Sequence, residues 1–212
     1  MNQVKTGGKR AEKARMTRMR MLEAAKELFV ANGFGATPMQ DVADRAGVAV
    51  QTLFYTFGTK KALLKQVVDT AIAGDDEPVP TLERAWFRDA AGRPDARSAL
   101  EAHVDGTGRV LARVAGVSEM LRVAAATDPA VGGLWGEDAP ADPRYTVQTA
   151  FARALVDKPG AAPGLDAASA ADELYAVLGP ELYLALVRDR GWPHERWEDW
   201  AREVLTARLC AS

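Results

Sequence analysis

LEAAKELFVANGFGATPMQDVADRAGVAVQTLFYTFGTKKALL, residues 22 to 64, decides the fold. Met21, Leu22, Ala25, Leu28 and Phe29 recur at the three-to-four spacing of one helical face, which predicts a first helix from about Arg15 to Asn32, closed by Gly33. Thr37, Pro38 and Gln40 read as the N-cap, first helical position and N3 residue of a capping box. They open a second helix that faces Val42, Ala43 and Ala46 inward and ends at Gly47. Val50 to Thr56 follows as a short third helix with Leu53 pointing inward, and Phe57 and Gly58 mark its close. Thr59 caps a fourth helix from Lys60, whose Leu63, Leu64 and Val67 join the same core. Two short helices across a tight Gly turn form the helix-turn-helix pattern.

Charge is uneven along the 212 residues. Residues 1 to 70 hold 12 Lys or Arg against 6 Asp or Glu, whereas residues 71 to 212 hold 15 against 23. A basic head supplies the phosphate attraction that DNA binding needs, and an acidic remainder repels the same backbone. With 48% apolar content the chain fills a real core. One cysteine, Cys210, permits neither an internal disulfide nor a thiolate zinc site, and suits a reducing cytoplasm. The N-terminus shows no export signal, and no run of about 18 apolar residues predicts a membrane span.

The expected class is all-α: a helix-turn-helix head followed by a helical body. Residues 1 to 14 read as a flexible basic arm, 15 to 59 as the DNA-binding domain, 60 to 74 as a connecting helix, and 75 to 212 as an effector-binding and dimerisation domain. Within the body, helices are expected over Thr81 to Ala90 and within Asp95 to Ala126, with interruptions near Gly106, Gly108 and Gly116. Another helix ends at Val156 and starts at either Pro129 or Tyr145, because residues 132 to 144 are rich in Gly, Pro and Asp. After the KPGAAPGL break, Ala167 to Arg190 and Pro193 to Leu209 read as the last two helices.

A helix in the major groove presents a few side chains to base edges while flanking donors hold phosphates. Val50, Gln51, Thr52, Tyr55 and Thr56 are the outward candidates on the third helix, and Gln51 can pair bidentately with adenine. Thr37 and Lys60 read as phosphate contacts beside helix N-termini, with Arg45 a further candidate and Arg15 and Arg18 approaching from helix 1. Each also has a plainer reading, as a cap or a solvated side chain.

LEAAKELFVANGF, the capped Thr37, DVADRAGVAVQTLFYTF and GTKKALL together resemble the TetR family of bacterial repressors over roughly residues 20 to 68. The resemblance implies an all-helical homodimer that binds palindromic operator DNA and releases it on taking up a small molecule. Carried over by position, it implies phosphate contacts at Thr37, Tyr55 and Lys60, and base contacts at Gln51, Thr52 and Val50. Three residues depart from the pattern: Ala49 stands where a capping Ser is usual, Phe54 where Tyr is usual, and Thr56 where His is frequent.

One short reading helix recognises only a few base pairs, so specificity implies two heads. The dimer face is expected on the last two helices, from Leu174, Val177, Leu178, Leu182, Leu186, Trp197, Trp200 and Leu205. Trp86, Phe87, His103, Met120, Leu121, Trp135, Tyr145 and Phe151 are the candidate lining for a small apolar or aromatic effector, with His103 able to change charge near neutrality. The plainer reading of each of these residues is core. An enzyme is disfavoured: the two histidines lie 91 residues apart, and no phosphate-cradling loop, HExxH or nucleophile elbow occurs. No cofactor and no metal site is implied. The competing reading is a helical ligand-binding or protein-interaction module without specific DNA binding.

Overall fold

The structure, a computed structural model, describes residues 5–75, 79–134 and 142–211. The described residues contain helices and no strand, with a single backbone bridge between Ala161 and Cys210. In chain order the helices are α1 (Lys5–Asn32), α2 (Met39–Ala46), α3 (Val50–Phe57), α4 (Lys60–Ala73), α5 (Ala85–Gly92), α6 (Ala96–Thr127), α7 (Pro129–Gly132), α8 (Pro143–Val156), α9 (Ala167–Val177), α10 (Pro180–Leu184) and α11 (His194–Leu209). A 3-10 turn, Thr81–Glu83, precedes α5, and a π-helical turn, Ala185–Asp189, continues α10. The chain divides into two compact units, Met1–Ala71 with Val117–Leu134, and Ile72–Gly116 with Trp135–Ser212. A linear reading of the sequence did not anticipate that 117–134 would group with the head.

In the first unit, α1 begins ten residues before the expected start, so most of the expected arm is helical. The added stretch is rich in Lys, Arg, Ala and Glu, all good helix formers, and Glu12 pairs with Arg15 at 2.9 Å one turn on. Residues 1–4 of the expected arm lie outside the described residues. Met21, Leu22, Ala25 and Phe29 are buried as the periodicity requires, and Phe34 meets the Phe29 ring edge-on at 5.3 Å. Gly47 turns the chain between α2 and α3 with φ 67°, and its amide donates to Asp44 O while that of Val48 donates to Ala43 O. Thr59 caps α4 as expected, its Oγ1 accepting from the Ala62 amide at 3.1 Å.

The capping box at α2 does not form. Pro38, in extended backbone, occupies the N-cap position with no side-chain cap, and Gln40 Nε2 donates to Asp44 Oδ1 at 2.8 Å instead. Thr37 turns inward, 1% exposed, and its hydroxyl lies 2.8 Å from Gly33 O and 3.2 Å from Leu28 O. The C-terminal carbonyls of α1 need donors, and Thr37 supplies one across the loop.

In the second unit, α8, α9 and α11 bury Phe151, Leu155, Leu174, Trp197, Leu205 and Leu209 in one core with Leu100 and Val104 of α6. The expected breaks in α6 are absent: it runs 32 residues through Gly106 and Gly108. These glycines permit close approach. A Cβ on Gly106 would fall 2.1 Å from Trp86 Cε3, and one on Gly108 2.7 Å from Glu198 Oε1. Conversely, the expected continuous helix Ala167 to Arg190 is broken at Gly179, because Pro180 holds the preceding residue in extended backbone and starts α10 at its own first position. The expected Thr81 to Ala90 helix is likewise divided by Arg84, which is extended. Pro143 at the first position of α8, with Asp142 Oδ1 accepting from the Arg144 amide at 2.9 Å, settles a start that the sequence left between Pro129 and Tyr145.

Gly106→Ala is expected to destabilise the protein by about 1–3 kcal/mol, because the Trp86 ring must leave the α6 backbone. Gly92→Ala, with nothing within 4 Å of the added methyl, is expected to change stability by about 0.5 kcal/mol or less. Urea unfolding of both variants measures the contrast.

Candidate nucleic-acid interface

Helix α3 has only eight residues, too few to persist alone in water, and the core fixes it by one face. Leu53 and Phe57 are buried, so Gln51, Thr52, Phe54 and Tyr55 turn to solvent. Tyr55 is 94% exposed and Phe54 47%, a large aromatic surface that no described residue buries. Val50 and Thr56 are half-buried, and the Thr56 hydroxyl donates to Thr52 O at 2.8 Å. Ala49 occupies the N-cap of α3 without a side-chain bond, as its replacement of a capping Ser implies. The helix start therefore relies on backbone alone, with the Thr52 amide donating to Ala49 O at 2.9 Å.

Helix α1 runs alongside. Arg10, Lys13, Arg15, Thr17 and Arg18 border a groove of about 600 Å³ that Thr52, Tyr55 and Thr56 complete. Arg10, Lys13 and Thr17 were not among the residues expected here. Their signal was present, since 10, 13 and 17 continue the three-to-four spacing that reaches Met21, but the Gly7–Gly8 pair made the stretch read as an arm. Arg18 bonds Gln66 Oε1 and lies 5.1 Å from the Phe57 ring, so it braces α1, α3 and α4 together.

The flanking cations are engaged. Lys60 Nζ sits 3.3 Å from Gly35 O and 4.5 Å from the centre of the Phe34 ring, and burial lowers its pKa from the ordinary lysine value. Arg45 forms a fork on Glu27 Oε2 at 2.6 and 2.9 Å. Both are near the surface, where such a pairing is worth roughly 1 kcal/mol or less and yields readily to a phosphate. Thr37 differs: its buried hydroxyl is committed to the α1 carbonyls, so a phosphate contact from that side chain does not fit this geometry.

The expected effector residues do not form one site. Phe87, His103 and Phe151 come together with Trp86 in the second unit, but as packed core: His103 is 0% exposed and stacks on Phe151 at 3.7 Å. Its Nε2 pairs with Gln148 Oε1 at 2.8 Å, which places a proton on Nε2, and its Nδ1 has no hydrogen-bond partner among the described residues. Burial lowers the His103 pKa to about 4, so it is neutral at physiological pH and does not supply the expected charge switch. Met120 and Leu121 belong to the other compact unit. Tyr145 stands at the surface, bonded to Asp172 at 2.9 Å, and Trp135 lies outside the described residues. Trp86 borders a cleft of about 490 Å³.

Of the expected dimer face, Leu174, Leu178, Trp197 and Leu205 are buried within the single chain and are core. Val177, Leu182, Leu186 and Trp200 keep accessible surface. Periodicity marks an apolar face without telling whether the same chain or a second copy covers it. Among the described residues no helix is long and apolar enough to cross a membrane, and no cluster of three His, Cys, Asp or Glu is placed to hold a metal.

An outward helix braced by a tight glycine turn in an all-helical chain defines a helix-turn-helix protein. Residues 21–67 match the family model for bacterial regulatory proteins, tetR family. It is similar to the HTH-type transcriptional repressor Rv3405c of Mycobacterium tuberculosis, at 34% identity over 107 residues that cover 48% of this chain and 55% of that protein. The HTH-type transcriptional regulator RutR of Escherichia coli is 36% identical over 74 residues, 33% of this chain and 35% of that one. The chain therefore spans about half or less of the length of these relatives. A transcriptional regulator from Saccharomonospora viridis, solved in complex with choline, shares the fold with TM-score 0.66 at 20% identity, covering 92% of this chain and 98% of that one.

Because His103 binds a proton more weakly folded than unfolded, its contribution to stability is fully present above about pH 6.5 and is lost as pH falls toward 4. Urea unfolding at pH 7 and pH 5 is expected to show a loss of about 2 kcal/mol attributable to this group. His103→Leu removes that part of the pH dependence while leaving the carboxylate part.

Proposed function

We propose that this protein is a sequence-specific transcriptional regulator, a repressor that occupies palindromic operator DNA as a homodimer and is released by a small organic effector. The observation that carries the reading is the arrangement of α3. Leu53 and Phe57 anchor one face, and Gln51, Thr52 and Tyr55 stand on the other, beside the basic residues of α1. Gln51 is the base-reading residue, through a bidentate bond to adenine, and Thr52 and Val50 offer methyl groups to thymine. Tyr55, Lys60, Arg10 and Lys13 hold phosphates, Lys60 and Arg45 by exchanging their present partners for the backbone.

Two heads are needed for a useful site, and Val177, Leu182, Leu186 and Trp200 are the apolar surface through which a second copy joins. The effector, an apolar or aromatic molecule, binds in the second unit, where Trp86 borders a cleft. The choline complex of the Saccharomonospora viridis regulator is a precedent for a small ligand on this fold. Release follows if the effector favours a head spacing that misfits successive major grooves, the coupling being its difference in affinity for the two states. The repressor assignment follows Rv3405c, a repressor by name.

Selection of binding sites from a random duplex library tests the reading: a palindromic consensus is expected, and a library that yields no preferred site rejects it. On the selected duplex, Gln51→Ala is expected to cost about 1–3 kcal/mol of discrimination at one base pair of each half-site. Lys60→Ala is expected to weaken all duplexes alike and to lower the salt-dependence slope by about 1 per head. An unchanged slope assigns Lys60 to Gly35 and Phe34 alone.

A further inference from the structure

The cleft beside Trp86 has a composition that the reading of this unit as effector-binding does not by itself explain. Ala73, Val79, Ala85, Trp86 and Val110 give it apolar walls, and three guanidinium groups, Arg84, Arg109 and Arg113, line it, with Glu83 the one carboxylate among its described lining residues. Arg109 and Arg113 are one helical turn apart on α6, and Arg84 sits between the 3-10 turn and α5. Burial first, and then the neighbouring charges of Arg84 and Arg109, lower the Arg113 pKa, opposed by Asp75.

The backbone is shaped to hold these groups. The Arg113 guanidinium lies on Gly74, which has φ 84°, so close that an added Cβ would meet Cζ at 3.0 Å, and its Nη2 reaches Ile72 O at 3.4 Å. Arg84 is fixed by a bidentate pair with Asp75 at 2.7 and 3.0 Å and by Val79 O at 3.2 Å. Trp86 is pressed against α6 because position 106 is glycine. Arg109 differs from the other two in being exposed and in forming no ion pair among the described residues. The result is an aromatic wall beside a fixed cationic pair, with a third cation at the surface.

We infer that this cleft takes an organic anion, a molecule with a carboxylate, sulfonate or phosphate group held by Arg109 and Arg113 and an apolar or aromatic body laid against Trp86 and Val110. Guanidinium groups bind such oxyanions through paired N–H donors, and the apolar wall supplies the area that a bare inorganic ion cannot use. An organic cation is disfavoured at the same place by the charges of Arg109 and Arg113. The inference rests on the effector-binding reading of the second unit and names the chemical class of its ligand.

The test uses two fluorescent probes with one aromatic skeleton, anionic 1-anilinonaphthalene-8-sulfonate and neutral N-phenyl-1-naphthylamine, titrated into the full chain. The sulfonate is expected to saturate one site per chain and to bind at least about tenfold more tightly than the neutral probe, a gap of about 1.4 kcal/mol. Arg109→Gln and Arg113→Gln together are expected to cut sulfonate affinity about tenfold and to leave the neutral probe unchanged, and added salt to weaken the sulfonate alone. Equal affinities of the two probes, no saturable sulfonate binding, or an affinity that both substitutions leave intact overturns the inference. Arg109→Gln alone decides the matter if circular dichroism shows the double variant unfolded, since Arg109 is exposed. DNA binding by the same preparation is scored separately. Retained DNA selectivity with no sulfonate site defeats this inference only, whereas a sulfonate site in a protein with no DNA preference defeats the regulator reading only.

Discussion

Everything on the proposed DNA-binding face depends on two side chains that point away from it. Leu53 and Phe57 are the inner face of an eight-residue helix, and their burial contributes on the order of 1.5–3 kcal/mol each. Without that anchorage a helix of two turns, begun by an alanine that caps nothing, would not hold its shape. With it, the orientation of Gln51, Thr52 and Tyr55 is set by helical geometry before any DNA is present. The Arg18 guanidinium over the Phe57 ring, and its bond to Gln66, extend the same anchorage from α3 to α1 and α4.

The second unit shows the same economy in a different form. Its long helix α6 keeps Gly106 and Gly108, two of its three glycines, close together in its interior, at a cost of about 1 kcal/mol each in helix propensity. Both allow another element to approach the helix backbone: Trp86 over Gly106, and Trp197 with Glu198 beside Gly108. One of these contacts belongs to the core and the other forms the wall of a cleft. A histidine enclosed nearby is kept neutral by burial and serves as an aromatic packing group against Phe151.

The head was largely legible in the sequence. Its glycine turn, the Thr59 cap and the three-to-four spacing of Met21, Leu22, Ala25 and Phe29 are local signals, and local signals survive into the fold. The fate of Thr37 was not, because the loop after α1 turns that hydroxyl onto Gly33 O and Leu28 O, four and nine residues back, partners that the capping-box spacing does not show. In the body, glycine within a helical pattern reads as a break when its purpose is close packing, and a proline after glycine breaks a helix whose apolar periodicity continues unbroken. The effector residues were chosen by bulk and aromaticity, which describe a core as well as a pocket. The arginines that line the open cleft carry no local signal that sets them apart from solvated surface charges.

The central claim is that the outward face of α3 is the surface that meets DNA. Photocrosslinking of the full chain to a selected duplex carrying 5-iodouracil at each thymine in turn tests it most directly. Crosslinks confined to α3, with Tyr55 foremost, and to the flanking residues of α1 are the predicted result. Crosslinks on residues of the second unit, with α3 unmodified in a folded and DNA-bound protein, would contradict it.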